Sequence, residues 1–151
     1  MITFQNLVTK FEQFATDHPF VQTFTHGPAS SVDLDKLETY PVMHLTYTGA
    51  SYDSGLKTYS LEVYILDNPQ HETEEQDYQT DVVTACELVA EDILADMQNG
   101  HDVFAFNYRY DVLSASLTPL ESERSNLLTG TVLNLSLGVA WDFDSCNTPL
   151  T

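Results

Sequence analysis

From Thr129 to Trp141 the chain alternates for thirteen residues without a break. Thr129, Thr131, Leu133, Leu135, Leu137, Val139 and Trp141 take one parity. Gly130, Val132, Asn134, Ser136, Gly138, Ala140 and Asp142 take the other. A period of two places alternate side chains on opposite faces of a strand, so this segment predicts the longest and cleanest strand of the chain. A strand cannot stand alone, and the rest of the sequence must supply its neighbours.

Candidate neighbours are present. In "YPVMHLTYT", Met43, Leu45 and Tyr47 alternate with His44, Thr46 and Thr48, which puts His44 on the face away from Met43 and Leu45. In "TYSLEVYIL", Tyr59, Leu61, Val63 and Ile65 alternate with Ser60, Glu62 and Tyr64. The turn formers of Gly49–Lys57 between them predict an antiparallel hairpin with a long loop. "DVFAFNYRYDV" alternates Phe104, Phe106, Tyr108 and Tyr110 against smaller residues and predicts another strand. "LSASLTPLE" continues it past a bend, with Pro119 assigning that end to an edge or a loop.

Two segments have helical spacing instead. Phe4, Leu7, Val8, Phe11, Phe14 and Ala15 make one apolar face after Thr3, and His18-Pro19 stops it. Between Phe20 and Thr39 the pattern is weak, with Gly27-Pro28 and Ser30-Ser31 marking a loop. Tyr78, Val82, Cys86, Val89, Ile93 and Met97 recur at intervals of three or four, predicting one long helix over Thr73–Asn99, closed by Asn99-Gly100. The resulting fold class is α+β: a mainly antiparallel sheet of four to five strands, with an N-terminal helix and one long helix packed on one face. At 151 residues the chain is expected to be a single domain, with an irregular tail from about 142. A chain of this size buries roughly 68–70% of its unfolded surface without help from metals or disulfides.

The stretch "HETEEQDY", His71–Tyr78, gathers four acids and a histidine and raises the question of a metal. Thr73 and Gln76 match a capping box, and Glu74, Glu75 and Asp77 meet the positive end of the helix dipole. A Ca²⁺ loop needs a central glycine that is missing here. The expectation is helix-entry chemistry with no metal and no cofactor.

Enzyme signatures are equally missing: no Gly-rich phosphate loop, no G-x-S-x-G, no H-E-x-x-H and no C-x-x-C. Cys86 falls on the apolar stripe and reads as a core residue. Cys146 has no basic neighbour to activate it. The expectation is a protein that is not an enzyme. Two cysteines make no disulfide framework and fit a reducing compartment. The first residues carry no basic n-region, so no signal peptide is expected, and no apolar run is long enough to span a membrane.

The chain holds 23 acids against 5 bases, a formal charge of −18 spread along its length. Such a surface repels phosphates, which argues against sequence-reading nucleic-acid binding and against docking on anionic membranes. It suits a saline habitat, or a surface that must lie near nucleic acid without adhering to it. Seven tyrosines on or near the strands suit protein–protein contacts.

The segments "FATDHPFVQTF", "YPVMHLTYT", "YSLEVYILDN" and "WDFDSCNTPL", in this order, resemble those of small virion proteins of tailed phages: the tail-completion, tail-terminator and neck proteins of phages of Bacteroidetes-type hosts. Trp141, Ser145, Cys146 and Pro149 match that family's aromatic-x-x-x-Ser-Cys, spacer, proline form. The chain departs from it in "ETEEQDYQTD" and in the Gly49–Lys57 segment. The resemblance implies a structural ring subunit, hexameric or dodecameric, at the head–tail junction or the end of the tail tube. Its partners would be further copies of itself and portal, adaptor or tail-tube proteins, with DNA passing transiently through an acidic lumen. It would be located in the virion, and in the host cytoplasm during assembly. Ring subunits need arms, which makes Tyr52, Asp53 and Leu56 of the hairpin and Trp141, Phe143, Cys146, Pro149 and Leu150 of the tail the candidate interface residues. The competing expectations are an acidic binding module, such as a DNA mimic or an adaptor, and an enzyme with an unrecognised carboxylate site.

Overall fold

A computed structural model of the chain describes residues 2–28, 41–67, 75–100, 103–106, 109–120 and 129–141. Helix α1 spans Phe4–Asp17 and strand β1 Thr23–His26. Strands β2, Val42–Asp53, and β3, Leu56–Asp67, follow, then helix α2, Glu75–Ala95, and strands β4, Tyr110–Leu120, and β5, Thr129–Ala140. The strands form one sheet in the order β1-β2-β3-β5-β4. All pairs are antiparallel except β1 with β2. The fold is α+β, as the patterns predict.

The alternating segments fold as strands because their odd-numbered residues share a core with both helices. Met43, Leu45, Tyr59, Leu61, Val63, Ile65, Leu133, Leu135, Leu137 and Val139 all belong to it. α1 begins with a reciprocal cap: Asn6 N–H donates to Thr3 Oγ1 at 3.2 Å, and Thr3 N–H to Asn6 Oδ1 at 2.9 Å. It ends at His18, which turns extended before Pro19 while its N–H still donates to the Phe14 carbonyl. α2 lays Val82, Cys86, Val89, Ile93 and Met97 into the same core, the stripe read from the sequence. The expected start at Thr73 lies outside the described residues. At the other end the α-helix stops at Ala95 and widens into a π-helical turn, Asp96–Gly100, earlier than the predicted Asn99. The Asp96 carboxylate turns onto the departing chain, accepting from the Val103 and Phe104 N–H groups, the latter at 2.8 Å.

Three local expectations are corrected. The hairpin has no long loop: β2 and β3 pair from Gly49↔Ser60 through Asp53↔Leu56, leaving a two-residue turn at Ser54-Gly55. Gly55 takes φ 73°, the left-handed value such turns require. Residues 103–106 are not a strand. Phe104 folds back into the helix layer, its ring 4.8 Å from Phe11 and 5.5 Å from Phe14, and β4 starts only at Tyr110. Finally, the weak stretch after Phe20 contains β1, held by its register with Val42–Leu45.

Candidate assembly surface

Six consecutive residues, Ser51–Leu56, are exposed at the β2–β3 turn. Tyr52 is 53% exposed and Leu56 37%, yet neither is isolated. The Tyr52 ring lies 4.6 Å from that of Trp141, and the Lys57 ammonium sits 5.5 Å over Tyr52 and 4.4 Å over Tyr59. Trp141 is placed by its N–H, which donates to the Gly55 carbonyl at 2.9 Å just past the end of β5. The structure therefore brings Tyr52, Asp53, Leu56 and Trp141 to one end of the sheet. The other four candidates, Phe143, Cys146, Pro149 and Leu150, lie outside the described residues.

From that end, along the far edge of the sheet, runs a surface the sequence reading did not single out. β4 is the outermost strand, and among the described residues no strand lies beyond it. From Val112 to Leu120 it carries no charge, and Leu113 and Leu120 are exposed at 50% and 36%. Pro119 sits on this edge, where its missing N–H is tolerated. Beside the start of β4 opens a cleft of about 550 Å³ walled by Met97, Phe104, Phe106, Tyr110 and Val112, with Arg109 at its rim. The Arg109 side chain is 90% exposed and reaches Asp111 at only 4.0 Å. The lack of charge between Asp111 and Glu121 was the available signal.

The acids are distributed unevenly in space. Glu12, Asp17, Asp81, Glu87, Glu91 and Asp92 are all exposed on the helices. Over the length of β4 Asp111 is the sole acid. One helix acid is engaged: Asp92 accepts from His18 Nε2 at 2.8 Å, tying the end of α1 to α2.

Among the described residues, Cys86 and Tyr110 are held in their protonated forms. Burial, with the charge of Asp67 adding to it, pushes the Cys86 thiol up to about 12. Burial and the Asp96 carboxylate push Tyr110 up to about 12 as well. His44 is fully buried on the non-helix face. Its Nε2 faces the Gly27 and Pro28 carbonyls at 3.0 and 3.1 Å, so it bears the proton, and Nδ1 accepts from the Thr25 hydroxyl at 2.6 Å. Burial lowers its pKa despite those carbonyls, which favour the charged form. It is a satisfied structural histidine that pins β1 to β2. Among the described residues no group of three His, Cys, Asp or Glu could hold a metal ion, and His71–Glu74 lie outside them. No described helix is long and apolar enough to cross a membrane.

The sequence matches no protein-family model and no curated protein.

Proposed function

We propose that the protein is a non-enzymatic structural subunit that closes with its own copies into a ring, in the manner of the tail-completion and neck proteins it resembles. The observation that carries this reading is the exposed aromatic cluster of Tyr52 and Trp141 beside Leu56 on a surface as acidic as this one. A chain of charge −18 gains solubility from its acids, and apolar groups held rigidly at a strand end fit a contact with another protein. The acids spread over the helices supply a surface that repels phosphate, as a passage for DNA requires. Portal, adaptor or tail-tube proteins are the partners expected above and below such a ring, in the virion.

The test is light scattering on the purified chain and on a Tyr52→Ser/Leu56→Ser variant. The wild type should form a discrete oligomer. The variant should keep its circular dichroism and elute as a monomer. A variant that assembles like the wild type would remove the hairpin tip from the interface.

A further inference from the structure

Resting on the ring reading above, we infer that neighbouring copies join by continuing the sheet: the tip half of β2 in one copy pairs antiparallel with the outer edge of β4 in the next. The topology supplies the directions. β2, β3, β5 and β4 are each antiparallel to the one before, so β4 runs opposite to β2. A second copy in the same orientation, placed beyond β4, therefore presents its β2 as the next antiparallel strand. That half of β2 is open to this pairing. β1 covers only Val42–Leu45, and among the described residues no strand borders Gly49–Asp53 on the outer side.

The register supplies the chemistry. Asp53 pairs with Leu56, Leu56 with Ala140, and Tyr110 with Val139, so one row across the sheet runs Asp53, Leu56, Ala140 and then Arg109. Continuing that row by one strand spacing, about 4.8 Å, sets the neighbour's Asp53 beside Arg109. Here one of the chain's five bases, 90% exposed, meets an exposed acid. The next positions match as well. The neighbour's Tyr52 falls opposite Tyr110 at the mouth of the aromatic cleft, and its Ala50 opposite Val112. Ala50, Tyr110 and Val112 all pack toward the helix-side core, so the faces agree. Two bulges, after Tyr47 and after Val112, bound the segment, and beyond them β4 must splay away from the neighbour, whose β1 stands beside Val42–Leu45 in the rows that Leu117–Leu120 would otherwise meet. Donor and acceptor edges lie at the same end of the sheet, so the step needs little displacement along the strands. A head-to-tail contact of this kind makes a ring when the rotation between successive copies closes and a filament when it does not, and the ring reading requires the closing rotation.

The experiment uses the full chain with Cys146→Ser, leaving Cys86, which is buried. Asp53→Cys and Arg109→Cys are made singly and together, then oxidised and run under non-reducing denaturation. Directly paired strand positions have Cβ atoms about 4.5–5.5 Å apart, close enough for a disulfide after a small adjustment. The double variant should give a ladder of linked chains ending at the ring number, and each single variant should stay unlinked. A mixture of the two single variants should give linked dimers and nothing larger. An unlinked double variant that still forms a ring by native mass spectrometry would overturn the edge pairing and leave the ring standing. Dimers of Asp53→Cys alone would overturn it too, since tip would then meet tip. A double variant neither linked nor oligomeric, in a protein whose wild type is also monomeric, would remove both readings.

Discussion

At the residue scale, Gly130 and Gly138 show how differently two glycines of one strand are constrained. A Cβ on Gly130 would collide with the Ile65 carbonyl oxygen and lie 2.9 Å from the Leu66 Cα, both backbone. A Cβ on Gly138 would meet only the side chain of Leu113, at 3.1–3.2 Å, and Leu113 is half exposed and able to move. Gly130→Ala should therefore cost about 1–3 kcal/mol or more in denaturant unfolding, while Gly138→Ala stays close to wild type. Equal effects would contradict the assigned packing. His44 makes a pH prediction. Its pKa in the folded protein is below the ordinary 6.5, so the unfolded chain takes up the proton first. Its contribution to stability is full above pH 6.5 and is lost as the pH falls below it. Unfolding curves should show a steeper loss of stability below that pH in the wild type than in His44→Gln. Parallel pH profiles would show that the imidazole carries no such linkage. The alternation placed His44 on the face away from Met43, and the structure agrees. It could not show that the Gly27 and Pro28 carbonyls bury that face, because they approach through a strand with no pattern of its own.

At the element scale, legibility followed burial. β3 and β5 have neighbours on both sides and a helix layer over one face, so most of their apolar residues alternate and both were readable. The tip half of β2 lies beyond the buried part of the sheet, and from Ser51 both faces are wet. Nothing there selects apolar residues, and a paired strand of Gly, Ala, Ser and Asp reads as a loop. The aromatics of 103–106 misled in the opposite sense. Alternating Phe residues suit a strand, but here Phe104 is drawn into the helix layer and its backbone is held by Asp96. β1 is four residues long and exists through pairing with β2, a tertiary effect that no local pattern encodes. The stripe of α2 was the most legible feature, and it can be tested directly. Val89 is 2% exposed, so Val89→Asp buries a carboxylate without a partner and should cost several kcal/mol. A variant that melts with the wild type would mean that Val89 does not face the core. Of the candidate interface, the hairpin residues and Trp141 were named as the arms a ring subunit needs, and the structure adds their proximity at one end of the sheet. The β4 edge was not, because an uncharged strand is conspicuous only once it is known to be outermost.

At the scale of the whole molecule, an acidic surface surrounds a narrow proposed seam whose charged groups are Asp53, Arg109 and Asp111. Repulsion between copies of charge −18 opposes association and is screened by salt, with a Debye length of about 10 Å at 0.1 M. The contacts proposed for the seam are backbone pairing, Tyr52 against Tyr110 and one ion pair, of which only the last weakens on screening. Assembly should therefore strengthen as salt rises, and a contact made mainly of salt bridges would do the reverse. The most direct measurement is native mass spectrometry of the purified chain, after equilibration over a range of ionic strengths. A single closed species of fixed subunit number should gain population from monomer as salt increases. A chain that stays monomeric or dimeric at every ionic strength, or an open-ended series of sizes, would contradict ring assembly.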